Sequence, residues 1–111
     1  MMEIQERQQG DVLILEPAGR LDSLTCRAFE TRLLAALDQS GAVVVDGAAL
    51  EYISSAGLRV LLVAAKHNRS SGGRLALASL RENVREVFDI SGFSAIFAIY
   101  PTAAEAVAAL A

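Results

Sequence analysis

AVVVDGAALEYISSAGLRVLLVAAKHNRSSGGRLALA, residues 42–78, reads as a strand, a connection, a helix, a break and a second strand. Val43-Val44-Val45 is an unbroken β-branched run, the kind carried by a strand that is covered on both faces. Asp46 closes it, and residues 47–53 form a connection with some strand character at its end. Near Ser55 or Ala56 the period changes. Leu58, Leu61, Leu62 and Ala65 recur at the i, i+3, i+4 and i+7 spacing of one helix face. Lys66, His67, Asn68 and Arg69 supply a polar, basic last turn that the helix dipole favours. Ser70-Ser71-Gly72-Gly73 breaks the helix, and Arg74 to Ala78 is again a short strand. Strands joined through helices in this way are most simply parallel neighbours in one sheet, which makes the fold class α/β.

The flanks extend the alternation. Met2 to Arg7 and Val12 to Pro17 predict a hairpin around Gln9-Gly10-Asp11, with Pro17 and Gly19 ending the second strand. Asp22 or Ser23 is placed to cap a helix on which Cys26, Phe29, Leu33, Leu34 and Leu37 share a face, and Gly41 suits its left-handed end. Downstream, Glu82 to Ile90 reads as a short helix ended by Ser91-Gly92, and Ile96 to Tyr100 as the last strand. Pro101-Thr102 opens a terminal helix, with Thr102 as cap and Glu105 three positions on in capping-box spacing. The expected order is β-β-α-β-α-β-α-β-α.

Composition bounds the function. With 111 residues, 53% of them apolar, and only two prolines, the chain fits one domain spanning 1–111 with a real core. Thirteen acids stand against ten bases, and the nine arginines and one lysine are scattered without a run. A nucleic-acid binder would carry a basic patch to displace counterions, so no nucleic-acid partner is expected. The single cysteine, Cys26, permits no internal disulfide, and its place on an apolar stripe reads as core packing. Residues 1–10 lack the basic and apolar regions of a secretory signal, and no apolar run is long enough to span a bilayer. A cytoplasmic protein without membrane insertion is expected.

A catalytic reading finds little support. His67 is the lone histidine, so neither a histidine pair nor a Cys/His cluster can grip a metal. Its place in a polar last turn reads as a solvated side chain. Ser55 has Gly57 two residues after it but Ile53 two residues before, which is not a nucleophile elbow. His67 lies twelve residues further along the same helix, roughly 18 Å away at the helical rise, beyond hydrogen-bonding reach. Gly72-Gly73 is followed by a strand and by no Gly-Lys-Ser/Thr, so it is a turn rather than a phosphate loop. No catalytic residue, cofactor or metal is expected, and the chain is not read as an enzyme.

What remains is Tyr52-Ile53-Ser54-Ser55-Ala56-Gly57-Leu58, two serines leading from a strand into a helix N-terminus. A phosphate on either serine would meet free backbone N–H groups and the positive end of the dipole. Serine is equally an ordinary N-cap, and on these residues alone both readings stand.

Here the chain resembles the STAS domain family, whose small stand-alone members are anti-sigma factor antagonists. The resemblance rests on Gly19-Arg20-Leu21-Asp22 and the block from Val43 to Leu62. It continues through Val84 to Phe88, Ser91-Gly92-Phe93, Ile96 to Tyr100 and Thr102 to Leu110. It implies a mixed sheet of four to five strands with helices packed mainly on one face. It also implies partner switching. The unphosphorylated module binds an anti-sigma factor that is a serine protein kinase, phosphorylation separates the pair, and a serine phosphatase resets it. The family's Asp-Ser-Ser/Thr-Gly pattern falls on Ser54-Ser55-Ala56-Gly57, so Ser55 is the implied phosphoacceptor and Ser54 the alternative. Serine here replaces the aspartate, and alanine the second serine or threonine. The implied docking face comprises Asp22, Ser23, Ser54, Ser55, Ala56, Gly57, Leu58 and Arg59, the last two on a first exposed turn. The alternative is a non-phosphorylated STAS adaptor in a lipid-transport ATPase complex or a signalling scaffold.

Overall fold

Strand residues alternate sides, and here both sides are apolar, which demands helices above and below one sheet. The computed structural model describes residues 2–111; Met1, included in the single-domain expectation, lies outside the described residues. The elements are β1 (Glu3–Gln9), β2 (Val12–Leu21), α1 (Cys26–Ser40), β3 (Ala42–Asp46), β4 (Leu50–Ile53), α2 (Ser55–Ser71), β5 (Arg74–Ala78), α3 (Glu82–Ser91), β6 (Ala98–Tyr100) and α4 (Ala103–Leu110). The sheet runs β1-β2-β3-β5-β6, with β4 pairing the far end of β2. β1 and β2 form the antiparallel hairpin, and the remaining pairings are parallel. This is a mixed sheet, as expected.

Leu13, Leu15, Val43, Val45 and Leu77 face a core built with Phe29, Leu33 and Leu37 of α1, Leu61 and Ala64 of α2, and Val84 and Phe88 of α3. On the other side, Val12, Ile14, Ala42, Val44, Ala76 and Ala78 meet Ala106, Val107 and Leu110 of α4. Alanines on both surfaces let this short helix approach the sheet closely. Thr102 caps it by accepting the Glu105 backbone N–H at 3.1 Å. Three helices on one face and one on the other match the layer order that the resemblance implies.

Several boundaries differ from expectation. The sheet has six strands rather than four to five, because Leu50–Ile53, read as connection, pairs in parallel with β2 from Gly19 to Leu21. Pro17 and Gly19 do not end β2. The strand pairs β3 at residues 13–15 and β4 at 19–21, and Pro17 falls between, where its missing N–H costs no parallel-ladder bond. Gly19, at φ 108°, carries the irregularity where β2 changes neighbours. The last strand starts at Ala98 and not Ile96, since Phe93–Ala95 forms a 3₁₀ turn and Ile96 stays helical in φ/ψ. That turn places Phe97 edge-on to Phe88, with ring centroids 5.8 Å apart.

Candidate partner-docking surface

The end of β2 and the start of α2 are stitched together. The Ser54 backbone N–H donates to the Leu21 carbonyl at 2.9 Å, and the Ser54 carbonyl accepts from Leu58 at 3.0 Å. Ser54 sits in extended backbone as the N-cap of α2, its Oγ accepting the Gly57 N–H at 3.4 Å. Gly57 is buried against β2 and β4. A Cβ there would stand 2.8 Å from both Ile53 Cγ1 and Leu21 Cγ, and 2.9 Å from the Leu21 carbonyl oxygen. With the cap supplied by Ser54 and the underside by Gly57, Ser55 is the first helical residue and is exposed. No acidic residue lies in the first turn of α2.

The segment after β2 lies beside this corner. Neither Asp22 nor Ser23 caps α1 as expected; Thr25 holds the cap position and the helix starts at Cys26. Asp22 is instead used one turn earlier, where its Oδ1 accepts the Leu24 backbone N–H at 3.0 Å. Thr25 Oγ1 donates to the Arg20 carbonyl at 2.7 Å and accepts from the Asp22 N–H at 3.0 Å. The Leu24 N–H foremost, helped by Thr25 and the Arg20 guanidinium and opposed by desolvation, holds the Asp22 carboxyl below its ordinary pKa. Between the lowered folded value and the ordinary one, the native state binds fewer protons than the unfolded chain. This stabilisation is therefore present above the ordinary value and is lost as pH falls through the folded one. Thermal midpoints followed into the acid range should fall less steeply for Asp22→Asn than for the wild type, and parallel curves would refute this.

The structure brings Asp22, Ser23, Ser54, Ser55, Ala56 and Arg59 to one end of the molecule, the end at which the parallel strands finish. Leu58, expected on an exposed turn, is buried, as its place on the core-facing stripe requires; with Gly57 it supports the surface from beneath. Two grooves open here. One is lined by Gly19, Arg20, Asp22, Leu24, Thr25 and Glu51. The other runs between α1 and α2, with Cys26, Ala56, Val60 and Val63 as apolar lining and Arg27, Glu30 and Arg59 as charged lining. Cys26 is thus half-buried at the edge of the core.

Sequence reasoning missed Leu24, which is 91% exposed, and Arg20, whose guanidinium stacks over the Tyr52 ring at 4.1 Å from its centroid. Leu24 carried a signal, being an apolar residue off the helical stripe; the Arg20–Tyr52 pair carried none, since it depends on β4 pairing with β2. His67 is tied to α1, its Nε2 lying 2.7 Å from Asp38 Oδ1. Among the described residues, no three His, Cys, Asp or Glu side chains gather as a metal site, and no helix is long and apolar enough to cross a membrane.

Residues 3–106 match the family described as the STAS domain. The chain therefore belongs to the STAS domain family. Its relatives carry a narrower name. Over 82 residues, 73% of this chain and 71% of the other, it is 46% identical to a Bordetella bronchiseptica protein assigned as the anti-sigma factor antagonist BtrV. A Thermotoga maritima protein assigned as an anti-sigma factor antagonist superposes with a TM-score of 0.90 at 28% identity, covering 96% of this chain and 93% of that one. The phosphorylated form of the Bacillus cell fate determinant SpoIIAA shares the fold, with a TM-score of 0.73 at 19% identity over 98% of this chain and 100% of that one.

Proposed function

We propose that the protein is an anti-sigma factor antagonist that acts by partner switching in the cytoplasm, with Ser55 as its phosphoacceptor. Unphosphorylated, it binds an anti-sigma factor that is also a serine protein kinase, and so frees the sigma factor. Within that complex Ser55 Oγ attacks the γ-phosphorus of ATP, its proton passes to the kinase, ADP leaves, and the phosphorylated module dissociates. A serine phosphatase hydrolyses the ester and restores the binding form. The module itself catalyses nothing.

The observation that carries this reading is the division of labour between the two serines. Ser54 is committed to capping α2, while Ser55 stands exposed on the next residue. The hydroxyl that ends the strand is structural, and the one that begins the helix is free to react. Arg59 and Ala56 on α2, with Asp22 and Ser23 after β2, complete the docking face. The names of the relatives favour this reading over a lipid-transport adaptor.

Incubation with the cognate anti-sigma kinase and ATP should add one phosphate, located at Ser55 by fragmentation mass spectrometry and absent from Ser55→Ala. A phosphate on Ser54, or none on either serine, would refute the assignment.

A further inference from the structure

Four arginines of this chain, Arg7, Arg20, Arg32 and Arg85, each lie against a carboxylate. Arg59 forms no ion pair among the described residues, is exposed, and lines the groove between α1 and α2. It also lies four residues after Ser55 on the same helix. Side chains at that spacing share a face, with Cβ atoms about 5–6 Å apart, and the favourable order places the anion N-terminal to the cation. A phosphoserine at 55 would carry roughly −1.5 to −2 charges and oxygen acceptors that suit a guanidinium fork.

We infer that Arg59 changes partners when Ser55 is phosphorylated: in the unmodified protein it receives an acidic side chain of the kinase at the α1–α2 groove, and in the modified protein it is taken by the phosphate of its own helix. This rests on the phosphoacceptor role proposed for Ser55 and names how that site is regulated. The groove has the character such an occupant needs. Its lining is apolar at Cys26, Ala56, Val60 and Val63, and two arginines outnumber the one glutamate, Glu30. Ala56 belongs both to this groove and to the turn that bears Ser55, so the groove is continuous with the proposed docking face. Phosphorylation then acts twice, by adding a charge to the interface and by withdrawing the guanidinium that the partner uses. The second effect needs no movement of the backbone, only a new side-chain pairing along one helical turn.

The capture step is tested without a kinase, on protein carrying phosphoserine at 55 installed during translation. The second phosphate ionisation, followed by phosphorus NMR, should lie below the value of free phosphoserine, and Arg59→Gln should raise it by about half a unit. Arg69→Gln makes the same charge change at the far end of α2 and should leave it in place. An unmoved titration in Arg59→Gln, or an equal movement in Arg69→Gln, would overturn the pairing while leaving the phosphoacceptor assignment intact. The docking step is read on unmodified protein with the kinase that phosphorylates Ser55. Arg59→Gln should weaken that complex about tenfold, and unchanged affinity would overturn the proposal. Phosphorylation of a serine other than Ser55 would fail the functional reading without moving the NMR result.

Discussion

Ser55→Asp should weaken the complex with the cognate anti-sigma kinase by about a hundredfold or more, while Ser55→Ala should bind and never release. A charge placed on an exposed hydroxyl costs the free module little, because water solvates it. Inside a docked interface the same charge is stripped of water and lies against whatever acids the partner presents. A penalty of about 3 kcal/mol is ordinary for a buried charge without a full complement of partners, and each 1.4 kcal/mol is roughly tenfold in affinity. Aspartate brings about half the charge of a phosphate, so the phosphorylated protein should be affected more strongly than the substituted one. Titration calorimetry on the two variants distinguishes the outcomes. Equal affinities would mean that the hydroxyl lies outside the interface, and the switch would have to be sought elsewhere.

The second large effect concerns the platform. Gly57→Ala should lower stability by about 2 kcal/mol, although alanine is the better helix former by roughly 1 kcal/mol. Crowding outweighs propensity because of what the new methyl would meet. Leu21 Cγ, a branch point, and Ile53 Cγ1, a methylene next to the branched Cβ, are each 2.8 Å away and lie close to the backbone rather than at flexible ends, and the Leu21 carbonyl oxygen at 2.9 Å is itself backbone. Relief requires α2 to lift from β2, which would also stretch the Ser54–Leu21 hydrogen bond. The unfolding midpoint should drop by on the order of 10 °C for a domain of this size. A midpoint equal to or above the wild type would show that the corner yields without cost. Phosphorylation at Ser55 should suffer together with stability, since the same carbonyl holds the residue that presents the serine.

Much of this architecture is legible in the chain. The Val43-Val44-Val45 run marks the central strand because that strand is covered on both sides, and the helix stripes fall where the core is. Gly41, Gly72 and Gly92 each end a helix at a positive φ that other residues rarely adopt, so they punctuate reliably. Local pattern failed where pairing with a distant segment decides the outcome. Leu50–Ile53 becomes a strand only because β2 continues past Pro17 to meet it, and β2 continues because the proline occupies a gap between two partners. No short window of sequence contains both halves of that arrangement. At the site, the helix start and the paired serines could be read directly. Which serine caps and which is exposed could not, because the choice turns on the Ser54 φ/ψ and on the bond from Gly57. An aspartate at the place of Asp22 can cap a helix or close a turn; here it closes the turn, and Thr25 fills the cap position of α1 without a capping side-chain bond.

β2 has one further consequence. The strand that forms part of the middle of the sheet also ends under the Ser54–Ser55 corner, where Leu21 touches both the cap and the glycine. The corner is therefore tied to the buried centre of the sheet by a backbone hydrogen bond and by close packing. Under the proposed switch, such a module needs no rearrangement of its own: making or hydrolysing the Ser55 ester would change its readiness to bind at once. The tempo would then be set by the encounter and turnover of the proposed kinase and phosphatase, not by a slow rearrangement of the protein they modify.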